Sequence, residues 1–236
     1  MQQQNLSSKN DSRTVNWSYK GDTGPEHWVD LDPCYAACSG TSQSPINLTG
    51  ATASDLDRLE PGYQTAPGTV RDTGHSIQVD IKGGSLVVGD DRYHLEQFHF
   101  HTPGEHVVDG AGWAAEIHLV HADGDDVAVL GIFVEVGEEN AFMKTLTPHL
   151  PGCERAGDPV VLCLADLLPE NLDYFTYEGS LTTPPCSQGL RWLVLKTSVT
   201  FSEEQLALLQ AYFPGGNARP PQPLNDRAIY VSQGRG

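Results

Sequence analysis

Basic residues are scarce in this chain. Of its 236 residues only 14 are Lys or Arg, against 31 Asp or Glu, for a formal net charge of −17. A nucleic-acid surface needs a basic footprint, and so does an anionic membrane face, so neither partner is expected. Long apolar runs are missing too. No stretch approaches the roughly 18 apolar residues of a membrane-spanning helix. Met1 to Val15 is rich in Gln, Asn and Ser and lacks the apolar segment of a secretory leader. The chain is therefore either not secreted or stripped of its presequence. Residues 1–15 are expected to be a poorly ordered polar tail, ahead of a single domain over residues 16–236. Cysteines are few and odd in number: Cys34, Cys38, Cys153, Cys163 and Cys186. Their spacing forms no paired C-x-x-C zinc site, and an odd count leaves at least one thiol free or paired between chains. Cys163, in the apolar run Val160 to Leu164, reads as a buried small hydrophobe. Spacing leaves the connectivity of the others open.

What is present is mostly strand pattern. Ser76 to Ile81 alternates, as do Leu95 to His101 and Ala115 to His121. Val127 to Val136 is a longer run rich in β-branched residues, and Val160 to Leu164 and Leu190 to Thr197 are similar. These are strand signals. One stretch is helical. Ser202-Glu203-Glu204-Gln205 is a capping box, Leu206, Leu209 and Tyr212-Phe213 follow at helical spacing, and Pro214-Gly215-Gly216 stops it. The class is mainly β, built on a large mixed or antiparallel sheet.

The nine histidines carry the chemistry. In Gln97-Phe98-His99-Phe100-His101, side chains two apart share a strand face, so Gln97, His99 and His101 point one way and the two Phe the other. In Glu116-Ile117-His118-Leu119-Val120-His121, Glu116, His118 and Val120 share a face and His121 lies on the opposite one. If the two strands are neighbours, three imidazoles converge. Three neutral nitrogens with an open fourth position describe a catalytic zinc site. Gln97 and Glu116 are placed to accept from the ring N–H groups of His99 and His118 and so fix their tautomers. An isolated His-x-His pair is more often packed core than a ligand pair; the second strand strengthens the metal reading.

Gln97 to Pro103, Glu105-His106, Ala115 to His121 and Gly179-Ser180-Leu181-Thr182-Thr183-Pro184-Pro185 together resemble the alpha-class carbonic anhydrases. The likeness begins near Trp17-Ser18-Tyr19, runs through Gln43-Ser44-Pro45-Ile46-Asn47, and ends near Arg227. Thr102-Pro103, where animal members usually carry an aromatic residue, is similar to the bacterial and algal branch. The resemblance implies a single domain with a central twisted, mostly antiparallel sheet of about ten strands and a few short peripheral helices. It implies zinc-dependent, reversible hydration of carbon dioxide to bicarbonate, by attack of zinc-bound hydroxide. His99, His101 and His118 match the zinc ligands. Thr182 and Glu105 match the pair that orients the attacking group. His75 matches the proton shuttle, although Thr73 and Gln78 depart from the commonest animal pattern around it. Tyr19 matches a residue of the water network. Val120, Val129, Leu181, Leu190 and Trp192 match the apolar wall for carbon dioxide, and Thr183 a bicarbonate contact. His27, His106 and His121 read as structural, and His94 and His149 as exposed. The resemblance further implies a Cys38–Cys186 disulfide, with Cys34 a competitor and Cys153 unassigned. Such a bond implies a periplasmic or extracellular setting. A homodimer is common among bacterial relatives. Two other functions compete: a catalytically dead relative serving as a binding module, and a zinc hydrolase acting on esters. An acidic surface does not repel a neutral substrate, and a salty exterior would screen its self-repulsion.

Overall fold

The computed structural model describes residues 16–233. The expected tail over residues 1–15 lies outside them. Runs of β-branched and aromatic residues broken by Gly and Pro favour strands, and strands dominate. Ten follow one another across a single sheet, in the order Val160–Leu162, Ala66–Asp72, Ile77–Ile81, Asp91–His101, Ala115–Asp123, Asp126–Val136, Gln188–Leu195, Tyr174–Ser180, Tyr230–Ser232 and Thr52–Ser54. Leu59–Pro61, Ser85–Val88 and Val199–Phe201 attach at the sides and bring the described strands of this sheet to 13. The spine therefore matches the expected ten, and short flanking strands make up the rest. Most pairings are antiparallel. In this sheet the parallel ones join Asp126–Val136 to Gln188–Leu195 and to Val199–Phe201, and Tyr230–Ser232 to Thr52–Ser54.

The sheet buries both faces at its centre. Ala128, Leu130, Ile132 and Val134 enter the main core, with Ile77, Phe98, Ile117 and the helical residues Phe142, Leu146, Leu206 and Leu209. Val129 and Phe133 enter a second cluster with Ile46, Tyr177, Trp192 and Val194. A strand buried on both sides reads as a continuous apolar run, which is why Val127 to Val136 shows no alternation. The helix Glu203–Tyr212 carries the expected capping box, with Gln205 N–H donating to Ser202 Oγ and Ser202 N–H to Gln205 Oε1. Gln205 also bonds both backbone groups of Asn140, the N-cap of the helix Ala141–Leu146, at 2.9 Å each. One side chain thus ties two helices to each other.

Three expectations are corrected. The alternation over Leu95 to His101 is interrupted, because a bulge shifts the register between Leu95 and Gln97. Leu95 joins the main core with Phe98, while Gln97 takes the other face. His94 is exposed as expected, and its pairing with Ala122 rather than His118 separates it from the site. His149 is buried, not exposed, and its Nδ1 lies 3.0 Å from the Asp158 carbonyl. Cys163 is only partly buried, since the strand ends at Leu162 and a helical turn begins.

His121 occupies the main-core side of its strand, fully buried, with Nε2 2.9 Å from the Tyr63 hydroxyl. Burial lowers its pKa to about 4. In the unfolded chain it is near 6.5. The unfolded state therefore gains a proton first, and the stability that this neutral imidazole contributes is full above pH 6.5 and is lost as pH falls toward 4. The effect approaches about 3 kcal/mol. Urea midpoints measured from pH 7 to pH 4 should fall less steeply in His121→Asn than in the wild type. Parallel curves would remove His121 as a source of acid lability.

Candidate metal centre

Cross-strand rungs assemble the site. His99 pairs with His118 across the neighbouring strands, and Gly131 lies beyond His118 on the next. One rung along, His101 pairs with Glu116, followed by Phe133. On the other side, Gln97, Val120, Val129 and Trp192 form a continuous row over four strands. Period-two alternation puts all these residues on one face. Gly131 leaves room for Glu116: a Cβ there would approach Glu116 Oε1 to 3.1 Å.

Each of the three imidazoles has one nitrogen held. His99 Nδ1 donates to Gln97 Oε1 at 2.9 Å, His101 Nδ1 to the Asn217 carbonyl at 2.7 Å, and His118 Nε2 to Glu116 Oε1 at 2.9 Å. The free nitrogens are then His99 Nε2, His101 Nε2 and His118 Nδ1. One ligand nitrogen from each ring lies within 4.8 Å of the others. His101 Nε2 is buried without a hydrogen-bond partner, which is costly unless something else occupies it. Three convergent imine nitrogens, tautomers fixed from behind, and one orphaned buried acceptor fit a tetrahedral metal ion with one open position. His106, Glu116 and His118 also come close together, but their atoms are committed to one another.

Burial lowers all three ring pKa values. It holds His101 at about 3, with His118 adding to the effect, and His99 well below the usual range, with His101 and His118 adding to it; His118 is lowered chiefly by desolvation. The rings are neutral, as ligands must be. Burial pushes the Glu116 carboxyl up, but His106 and His118 overcome that and hold it well below the carboxylate range. Its Oε2 also accepts the N–H groups of Glu105 and His106, at 2.8 Å each. His106 Nδ1 donates to Glu116, so its Nε2 accepts from the Tyr177 hydroxyl at 2.6 Å, and Tyr177 in turn accepts from Ser44 at 2.9 Å. Glu105 is fully buried beside the rings, and burial raises its pKa well above the usual value. The Arg219 N–H, 2.8 Å from Oε1, and the Thr182 hydroxyl oppose that rise, and a dication among the rings would oppose it further.

A cavity of about 320 Å³ opens over the three rings. Gln97, Val120, Val129, Leu181, Thr182, Thr183 and Trp192 line it, and so do His75 and Gln78 at its mouth with Trp17 and Thr73. Leu190 does not line it; it packs behind, in the cluster of Val129 and Trp192. Tyr19 is likewise not in the wall. Its hydroxyl is buried without a partner near Glu105, and burial raises its pKa. The His75 ring stacks on Trp17, with centroids 3.6 Å apart and planes 11° apart. Its pKa is lowered by partial burial, against an opposing pull from Asp72. Thr73 Oγ1 is spent on the turn, accepting from the N–H groups of His75 and Ser76, and Gln78 Nε2 donates to Asp80. His27 is exposed rather than packed, at the start of a short helix.

The family model of eukaryotic-type carbonic anhydrase matches residues 23–233. The chain belongs to the alpha-class carbonic anhydrases. A carbonic anhydrase of Nostoc sp. is 40% identical over 229 residues, covering 92% of this chain and 86% of that protein. One from Klebsiella pneumoniae is 38% identical, over 90% and 89% of the two chains. The carbonic anhydrase of Thermovibrio ammonificans, solved with the inhibitor sulfanilamide, superposes with a TM-score of 0.86 at 41% identity, over 93% of this chain and 99% of the other. Dioscorin, solved with ascorbate, also shares the fold, with a TM-score of 0.85 at 31% identity over 92% and 97%. The chain is thus a carbonic anhydrase of the bacterial branch, an enzyme for hydration of carbon dioxide.

In this carbonic anhydrase Cys38 and Cys186 are joined, 148 residues apart, and Cys34, Cys153 and Cys163 are free. Among the described residues no helix is long and apolar enough to cross a membrane. Sequence reading missed Asn217 and Arg219. Arg219 is buried, donating to Gln43 Oε1 and to the carbonyls of Ser44 and Cys38, with its guanidinium over the Trp28 ring. Only the long-range fold brings these residues to the site, 114 positions from Glu105 in the case of Arg219. The one local signal was a lone Arg between a Gly-rich turn and Pro220-Pro221.

Proposed function

We propose that His99, His101 and His118 hold a zinc ion through His99 Nε2, His101 Nε2 and His118 Nδ1, and that His75 exports the proton released on carbon dioxide hydration. The observation that carries this reading is that each imidazole has its other nitrogen hydrogen-bonded from behind, leaving three free nitrogens aimed at one point. Bound there, zinc supplies a Lewis acid that brings the pKa of a coordinated water to about 7. Gln97, the Asn217 carbonyl and Glu116 hold the rings in the ligating tautomer. The Thr182 hydroxyl donates a hydrogen bond to Glu105, so the Thr182 oxygen can only accept from a group bound beside it, which selects groups that carry a proton. Val120, Val129, Leu181 and Trp192 present an apolar wall to a small apolar substrate, with Leu190 supporting it from behind. Thr183 meets the charged product. Tyr19 and Gln78 take part in the water network that leads to His75, an imidazole, the side-chain type that titrates nearest neutrality, here lowered by partial burial.

The Cys38–Cys186 bond is compatible with an oxidising, periplasmic or extracellular setting. We take the domain to run over residues 16–236 with carbon dioxide and bicarbonate as its ligands, and we leave homodimerisation to a sedimentation measurement. Purified protein should contain one zinc per chain and hydrate carbon dioxide in stopped flow. Chelation should abolish the activity, and added zinc should restore it. A fully zinc-loaded chain without hydration activity would instead support a binding module.

A further inference from the structure

The helix-ending Pro214-Gly215-Gly216 segment delivers a side chain that the reading above does not use. Gly215 and Gly216 have φ of +95° and +92°, a conformation open to glycine at little cost. A Cβ on Gly216 would lie 2.9 Å from the Thr102 carbonyl oxygen. Glycine therefore lets the chain pass close to the end of the metal-ligand strand. Asn217 follows, fully buried. Its Nδ2 donates to the Phe100 carbonyl at 2.9 Å and to the His75 carbonyl at 3.1 Å, and its Oδ1 accepts from Thr102 N–H at 2.8 Å. Two acceptors and one donor around the amide fix which end is which. The pairing between Ile77–Ile81 and the ligand strand stops at Gln78 opposite His99. Beyond it the Asn217 amide takes the place of the missing strand, and its second N–H reaches the turn that carries His75.

We infer that Asn217 is a positioning residue for proton transfer: its side-chain amide ties the His75 backbone to the strand bearing His99 and His101. The turn's own side-chain bonds are local: Gly74 N–H donates to Asp72 Oδ1, and the N–H groups of His75 and Ser76 donate to Thr73 Oγ1. Asn217 spans 142 positions to join that turn to the metal strand. It thereby sets how far the His75 imidazole stands from the cavity and against Trp17. This rests on the reading of His75 as the proton exporter.

The test compares full-length, zinc-loaded wild type, Asn217→Ser, Asn217→Asp, His75→Ala and the Asn217→Ser/His75→Ala double variant. Carbon dioxide hydration is followed in dilute buffer and in concentrated imidazole. Ring-proton NMR resonances of His75, shifted by the Trp17 stack, are recorded on the same samples. Asn217→Ser, which keeps the backbone carbonyl that holds His101, should lower kcat roughly tenfold through the displaced turn, and by more than it lowers kcat/KM. Imidazole should restore kcat, the double variant should be no slower than His75→Ala, and the His75 resonances should move. Asn217→Asp, which keeps the acceptor for Thr102 and removes both donors, is read in the same way if the serine variant does not fold. An equal fall in kcat and kcat/KM without rescue would make Asn217 merely structural. Unchanged kcat and resonances, with His75→Ala still impaired, would overturn the inference and leave the proton exporter standing. Unchanged kcat in His75→Ala would overturn the exporter instead, and with it this role for Asn217.

Discussion

His118→Ala leaves a folded protein that neither retains zinc nor hydrates carbon dioxide. The reason lies in how the surrounding network divides. Glu116 keeps the His106 ring and the N–H groups of Glu105 and His106 when the His118 ring is gone, so no buried charge is stranded. Truncation removes about one imidazole from a site open to the cavity. Losing an outer partner of a metal ligand costs about 10–100-fold in affinity or activity, so losing the ligand itself should exceed about 100-fold in both. Zinc content after dialysis and stopped-flow hydration measure the two quantities. A variant with full zinc and full activity would show that His118 is no ligand.

Replacing Cys38 and Cys186 together with Ser should cost about 2–5 kcal/mol of stability, because the bond closes a loop of 148 residues that the unfolded chain would otherwise open. For a chain of this size that is a drop of roughly 10 °C in Tm. Activity at low temperature should change little. The loop bearing Thr182 keeps its other ties: Ser44 and Ser180 exchange backbone-to-hydroxyl bonds at 2.9 and 3.0 Å, and Leu181 N–H donates to Ser187 at 2.9 Å. Calorimetry with and without reductant checks the first part, and kinetics at 10–15 °C below the new Tm checks the second. An unchanged Tm would mean that the bond only records the compartment.

The convergence of His99, His101 and His118 was legible because strand geometry is local. Side chains two apart must share a face, and the neutral residues Phe98, Phe100, Ile117 and Leu119 mark the opposite one. The resemblance supplied Thr182, Glu105 and the disulfide. What escaped depends on the fold alone. Asn217 and Arg219 lie in an irregular segment whose sequence carries no period, and their partners are more than 100 residues away. The bulge beside Glu96, by contrast, was legible but overlooked: Leu95-Glu96-Gln97-Phe98 sets two polar residues between two apolar ones and breaks the alternation at that point. His149 was misplaced since a histidine between Pro148 and Leu150 gives no sign of a buried carbonyl partner.

That bulge has a consequence for how the molecule can change over time. The single extra residue acts as a phase shifter between two halves of one strand. Downstream of it the pattern is locked to the three convergent imidazoles, and upstream it is locked to the hairpin that joins Ser85–Val88 to Asp91–His101. Deleting Glu96 would leave a regular ladder, with Leu95 still opposite His121 and Gln97 still opposite Val120, so Leu95 and Tyr93 would keep their places in the main core and the three imidazoles theirs. The hairpin can therefore vary in length and composition behind a fixed register of the three imidazoles, provided Leu95 stays opposite His121.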